Sequence, residues 1–266
     1  MKKIHAKTLQ YKRYNNLLVE LMKHWWVIVI AITASTSHFT HADSIFDDSR
    51  KRAIPVDITY PQARVLCSKK NLCPVAFLSA GYGVSHNQYT FLSEQLSTLG
   101  YLVLAVGHEL PEDPRLSATG NLYETRQENW RRGAETLAFL RKSLAEEFEG
   151  YDFNRLLLIG HSNGGDISAW FAGEDNSFIA ALITLDHRRV PLPRSKNLCV
   201  LTIRAGDFPA DVDVLPSAEE VADHGIKVIE IESAKHNDLT DLGPAWLKSD
   251  ISEFIREFLS KPACVN

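Results

Sequence analysis

Three residue types set far apart in the chain could together perform acyl transfer: Ser162, His236 and one of three aspartates, Asp186, Asp207 or Asp211. Ser162 sits in Gly160-His161-Ser162-Asn163-Gly164, a G-x-S-x-G pattern. An apolar run, "RLLLIG", precedes it, and residues with helical character follow from Ile167 to Ala172. A strand that turns at once into a helix needs glycines at the corner, and it holds the serine strained with Oγ exposed. A serine hydroxyl is a weak nucleophile until a base takes its proton. The base belongs after the last strand, in the chain order serine, acid, histidine. His236, in "IEIESAKHNDL", has both that order and that place. His161 is the variable residue of the motif, while His108 and His187 end earlier strand-like runs and read as packed or loop histidines.

The acid has to orient the imidazole and stabilise its protonated form. Asp207 directly follows "LTIRAG" and is the first choice by strand-end position and chain order. Asp186, in "TLDHRR", ends the strand before, and Asp211 lies four residues beyond Asp207. Any of them could instead cap a turn or pair with Arg188, Arg189 or Arg204. A developing oxyanion needs backbone donors. The N–H of Asn163 lies at a helix start, and that of Tyr82 lies in "LSAGYGVSH", where Gly81 and Gly83 permit close backbone approach. Gly81-Tyr82-Gly83 also mimics the opening of a dinucleotide-binding loop, but the third glycine position holds His86, so the pattern is incomplete. No organic cofactor or metal is expected, and no histidine lies at ligand spacing from the cysteines.

These residues must be held by something. From Ala53 onward, strand-like and helix-like stretches alternate: "IPVDITYP", "PVAFLSAG", "YLVLAVG", "RLLLIG", "AALITLD", "LCVLTIRAG" and "IKVIEIE" as strands. Between and after them, Tyr89–Leu99, Trp130–Leu144 and Leu247–Phe258 repeat apolar residues at helical spacing. Continuously apolar strands belong in a parallel sheet covered on both faces. The expectation is an α/β, doubly wound, mostly parallel sheet with helices on both faces. In such sheets the reactive groups gather at the carboxyl ends of the strands.

The 266 residues, 45% of them hydrophobic, suffice for one sizeable core. Residues 22–42 read as a secretory signal, with Lys23, an apolar stretch from Trp25 to Ala34, and Thr40 and Ala42 at the −3 and −1 positions. The expected organisation is a signal over 1–42, with Met22 as the start, and one domain over 43–266. The apolar stretch is short for a membrane span, which needs about 20 residues. Net charge is −4, and it falls to about −9 once the leader's six Lys/Arg and one Glu are removed. Such an acidic chain is a poor partner for nucleic acid. A periplasmic or secreted location allows disulfides. Cys67 and Cys73 flank a polar turn and suit a hairpin bridge, whereas Cys199 and Cys264 are a second pair or two free thiols.

With these residues in place, the chain resembles the α/β-hydrolases, within them the dienelactone-hydrolase-like and platelet-activating-factor-acetylhydrolase-like branch. The resemblance rests on "DDSRKRAIPVDITYP", "LSAGYGVSHNQYTFLSEQLSTLGYLVLAVGHEL", "GHSNGGD" and "ESAKHND". It implies Ser162 as nucleophile, His236 as base, and the amides of Tyr82 and Asn163 as the oxyanion hole. Acetylhydrolase-like members would place the acid at Asp186, most others at Asp207. The implied activity is serine-dependent cleavage of a small or extended carboxylic ester. Amide or peptide cleavage by the same residues, or a non-catalytic binding scaffold, are the alternatives. The segment Leu110–Tyr123 is expected to border the acyl pocket.

Overall fold

The computed structural model describes residues 43–174, 177–261 and 264. The leader expected over 1–42 and the start at Met22 lie outside the described residues. Eight strands form one sheet: β1 Asp43–Asp47, β2 Arg52–Thr59, β3 Cys73–Ser79, β4 Leu102–Val106, β5 Tyr151–His161, β6 Ile179–Leu185, β7 Cys199–Ala205 and β8 Lys227–Ile231. Their spatial order is β1-β2-β4-β3-β5-β6-β7-β8. The β1/β2 and β2/β4 pairs are antiparallel, and all others are parallel. The helices are α1 Thr90–Thr98, α2 Leu122–Thr125, α3 Gln127–Glu147, α4 Asn163–Glu174, α5 Ala218–His224 and α6 Ala245–Leu259. Among the described residues no helix is long and apolar enough to cross a membrane.

The apolar strands have two buried faces because side chains alternate across a strand. Val75 and Phe77 of β3 join one core with Trp130, Leu137 and Leu140 of α3 and Ile167 and Phe171 of α4. Ala76 and Leu78 join the other, with Tyr89, Leu92 and Leu96 near α1 and Leu247, Ile251 and Ile255 of α6. The doubly wound arrangement expected from the sequence is therefore observed.

Three elements carry no strong sequence signal, the four-residue helix α2 among them, which buries no residue. β1 is a short antiparallel edge strand paired with β2. α5 buries no residue, so it has no apolar periodicity; it is defined by the Ser217/Glu220 capping box and by Gly225 at φ 66°. Both cysteine pairs are bonded, Cys67 to Cys73 and Cys199 to Cys264. The second bond anchors Cys264, beyond α6, to the start of β7.

Sheet topology decides where chemistry can sit. From β3 the chain steps to β4 on one side, then crosses back to β5 on the other. The crevice at that reversal lies at the carboxyl ends of β3 and β5. The register makes those ends level: Ser79 is opposite Gly160, His161 opposite Leu185, and Leu185 opposite Ile203. The residues that leave β3, β5 and β6 thus emerge side by side.

Candidate active site

Ser162 leaves β5 with φ 54°, a left-handed conformation uncommon outside glycine. The corner is tight enough to exclude side chains at its glycines. A Cβ on Gly160 would run into the Gly164 carbonyl, and one on Gly164 into the carbonyls of Ser79 and Ala80. The serine N–H is anchored to the Leu185 carbonyl at 2.9 Å, and its carbonyl accepts from Asp166 N–H at 3.0 Å as α4 begins. The local strain is thus held by hydrogen bonds on both sides of the residue.

His236 lies in a short helical turn, His236–Asp238, after β8. Its Nε2 is 2.9 Å from Ser162 Oγ, and its Nδ1 is 2.5 Å from Asp186 Oδ2. The expectation that Asp207 would face the ring is corrected by this geometry. Asp207 Oδ1 instead accepts the backbone N–H of His236 at 2.9 Å, so it holds the loop rather than the imidazole. Asp211 is further removed from the role, since it pairs with Arg189. Asp186 is the aspartate that reaches the ring because it follows the last residue of β6 directly, in a left-handed conformation at φ 49°. Its own N–H continues the ladder to the Ile203 carbonyl at 2.8 Å, which fixes the residue beside β7.

The other oxygen of Asp186 is equally occupied. Oδ1 takes Nη2 of the buried Arg204 at 2.8 Å and the N–H of Ala205 at 3.2 Å. Arg204 also donates to the carbonyls of His187 and Phe208. Two residues earlier on the same strands, Thr184 and Thr202 share a buried hydroxyl hydrogen bond of 2.8 Å. Burial pushes the Asp186 carboxyl up, but the His236 hydrogen bond and the Arg204 charge outweigh it, and the net shift is downward. Asp186 is therefore an ionised acceptor at neutral pH. A cation in a strand as apolar as "LCVLTIRAG" was the sequence signal for it, since a buried arginine demands a partner.

Tyr82 and Asn163, expected to donate to an oxyanion, stand at two turns. Residues Gly81–Val84 close a turn with Val84 N–H on the Gly81 carbonyl at 3.0 Å, and Gly83 supplies φ 74°. Tyr82 stands in that turn. Its phenolic oxygen accepts the Leu116 N–H at 3.2 Å, which ties the segment expected to border the pocket to this corner. Asn163 is the first residue of α4, where N–H groups have no intrahelical partner. Its side chain points away into a buried polar set. Oδ1 accepts Trp130 Nε1–H at 3.0 Å, and Nδ2 donates to Asn129 Oδ1 at 2.8 Å. Its backbone N–H stands at the positive end of the helix.

His161 is buried, and burial, followed by the charge of His236, pushes it down to about 3. His108 and His187 are also buried and pushed down to about 3, chiefly by burial. His108 Nε2 pairs with Ser79 Oγ at 3.0 Å, and His187 Nε2 with the Val190 carbonyl at 3.2 Å. Both are packing residues, as the sequence suggested. Phe208, half exposed, presents its ring edge-on to His236 at 6.5 Å between centroids, with Arg188 stacked over it at 4.6 Å. Among the described residues no group of His, Cys, Asp or Glu is arranged to hold a metal ion.

Comparison with known proteins adds the fold. No protein-family model and no curated protein sequence matches the chain. Solved structures do. Esterase 2 of Thermogutta terrifontis, phosphoramylated by tabun, is 14% identical with a TM-score of 0.60, over 86% of this chain and 96% of that one. Its butyrate-bound form matches at 14% identity and TM-score 0.60, over 82% of this chain and 93% of that one. A ferulic acid esterase from Streptomyces cinnamoneus matches at 17% identity and TM-score 0.55, over 85% and 89%. At such identities the likeness establishes architecture: the chain has the α/β-hydrolase fold.

Proposed function

We propose that this α/β-hydrolase-fold chain is an exported serine hydrolase that cleaves carboxylic esters through an acyl-enzyme. The observation that carries the reading is the continuous path Ser162 Oγ, His236 Nε2, His236 Nδ1, Asp186 Oδ2, with steps of 2.9 and 2.5 Å across one imidazole. Ser162 Oγ attacks the ester carbonyl while Nε2 of His236 takes its proton. The Tyr82 and Asn163 N–H groups receive the oxyanion of the tetrahedral intermediate. The intermediate collapses, His236 returns the proton to the departing alcohol, and the acyl group stays on Ser162. A water then gives a proton to His236 and attacks the acyl carbon; as the second tetrahedral intermediate collapses, the acyl–Oγ bond breaks, His236 returns that proton to Ser162 Oγ, and the acid leaves. Asp186 keeps the Nδ1–H tautomer and stabilises the imidazolium. The reaction calls for no metal or cofactor.

The known esterases of the same fold, one of them bound to butyrate, support small ester substrates. The exposed Phe208 and the Tyr82–Leu116 corner are compatible with an open, extended site. Membership of the dienelactone-hydrolase-like and acetylhydrolase-like branch is part of the proposal, and the acid at Asp186 favours its acetylhydrolase side. Export to the periplasm or beyond is supported by the two disulfides, which persist in oxidising compartments, and by the leader-like residues 1–42.

The test is turnover of p-nitrophenyl butyrate together with labelling by a fluorophosphonate. Ser162→Ala should lower kcat by about 10^5-fold or more and abolish labelling. Wild-type turnover retained in that variant would overturn the assignment.

A further inference from the structure

The residue between glycine and serine in the motif, His161, does not line the site. It is 1% exposed, yet both of its nitrogens are engaged by groups from loops that serve the reaction. Nε2 is 3.0 Å from the backbone carbonyl of His236, and Nδ1 is 2.9 Å from the hydroxyl of Tyr89. The same hydroxyl is 3.0 Å from the N–H of Gly81. Tyr89 is fully buried at the start of α1. The rings pack against one another in sequence, tilted by 54° and 40°, with Tyr89 and His161 centroids 5.8 Å apart and those of His161 and His236 4.8 Å apart.

The direction of every bond follows from donor and acceptor chemistry. A backbone carbonyl only accepts, so Nε2 of His161 carries the proton and donates. Burial keeps the ring neutral, so Nδ1 is a bare acceptor and the Tyr89 hydroxyl must donate to it. The hydroxyl oxygen is then free to accept Gly81 N–H. The opposite tautomer would set a lone pair of Nε2 against the carbonyl of His236. One ordered chain results: Gly81 N–H to Tyr89, Tyr89 O–H to His161, His161 Nε2–H to the His236 carbonyl.

We infer that Tyr89 and His161 are positioning residues that lock the oxyanion turn and the His236 loop to the nucleophile strand as one unit. The inference rests on the ester-hydrolase reading, which gives those two loops their roles. Gly81 immediately precedes Tyr82, whose N–H is the proposed oxyanion donor, and the His236 carbonyl belongs to the proposed base. His161 immediately precedes Ser162. The three groups that must meet one carbonyl carbon come from separate loops, and this chain ties each to the next within one residue. The fit leaves little slack: a Cβ on Gly81 would stand 3.0 Å from His161 Nδ1 and 3.3 Å from the Tyr89 hydroxyl. Misplacement of a reacting group by about 1 Å costs on the order of 100-fold in rate.

Three variants test it on the full-length protein: Tyr89→Phe, which removes one oxygen, His161→Leu, which removes both nitrogens, and His161→Gln, which restores a donor toward the His236 carbonyl. For p-nitrophenyl butyrate, Tyr89→Phe and His161→Leu should lose about 10- to 100-fold in kcat with KM within about twofold. His161→Gln should recover part of that loss. Amide exchange at Gly81 should quicken about tenfold in Tyr89→Phe, while exchange in the central strands stays as in wild type. A kcat within twofold of wild type in both folded loss-of-bond variants overturns the inference. Nitrogen-15 spectra of the wild-type imidazoles supply a readout that no unfolded variant can spoil: His161 should be the Nε2–H tautomer, and Nδ1–H sinks the relay. Should the wild type cleave no ester, the functional reading falls, while the exchange and tautomer measurements still decide the relay.

Discussion

Asp186 and Arg204 face each other across neighbouring parallel strands, with Oδ1 and Nη2 2.8 Å apart in a fully enclosed setting. The pair leaves Oδ2 of Asp186 as the one oxygen turned to His236. A buried ion pair adds little net stability relative to apolar packing, but breaking one partner strands a charge. Arg204→Met should therefore destabilise the protein by about 3 kcal/mol or more. Urea unfolding of Arg204→Met, of Asp186→Asn and of the double variant measures it. The double variant should cost clearly less than the sum of the two singles, and strict additivity would contradict the pairing.

The two aspartates near His236 touch different parts of it, and that predicts unequal kinetics. Asp186→Asn replaces the acceptor at Nδ1 and permits the wrong tautomer, so kcat should fall by about 10^3- to 10^4-fold. Asp207→Asn keeps an oxygen for the His236 N–H and should cost about tenfold or less. Equal losses, or a larger loss at Asp207, would reverse the assignment of the acid.

Acid should weaken the fold before it reaches the ordinary carboxylate range. His108, His161 and His187 are each pushed from 6.5 to about 3, chiefly by burial. Unfolded, each takes up a proton below 6.5; folded, each stays neutral until about 3. The stabilisation is complete above pH 6.5 and is lost as pH falls through the window from 6.5 to 3, at up to about 1.4 kcal/mol per unit for each ring. Asp166, pushed up to about 6 by burial, and Glu109, raised for the same reason, act in the opposite sense. The net loss between pH 6.5 and 5.5 should be about 2 kcal/mol. Urea midpoints across that range check it, and His187→Gln should flatten the slope.

The two disulfides should differ in weight. Cys67 and Cys73 are 6 residues apart, whereas Cys199 and Cys264 are 65 apart. In the chain-entropy description the longer loop is worth about 4 kcal/mol and the shorter about 2. Thermal melts of Cys264→Ser and Cys67→Ser, run oxidised, should show the larger drop for Cys264→Ser.

Much of this protein is legible in one dimension. Seven of the eight strands are legible: β3 to β7 carry apolar runs, because a parallel strand buried on both faces has no polar side to break the pattern, whereas β2, antiparallel to both neighbours, shows as an alternation and β8 as a mixed run. β1 and α5 were not legible: one is a short edge element, and the other buries no side chain. At the site, Ser162 was marked by its glycines, since backbone crowding at Gly160 and Gly164 leaves a composition that survives in the sequence. His236 was marked by chain order, Asn163 by adjacency to the serine, and Tyr82 by its two flanking glycines.

The acid was different. Asp186 and Asp207 both follow apolar strands by no more than two residues, and nothing in spacing separates them. The choice was made by side-chain direction: a left-handed residue beside Arg204 turns the Asp186 carboxylate to the ring, while Asp207 meets a backbone N–H of the same histidine. The roles of Tyr89 and His161 were hidden for the same reason, and Arg204 was marked only as a cation in an apolar strand, without its partner. Sequence by itself determined which residue types stand at the strand ends, because steric crowding and burial constrain composition locally. Only the tertiary structure decided which atoms meet, because hydrogen bonds between loops 50 to 75 residues apart depend on register and rotamer and leave no local mark.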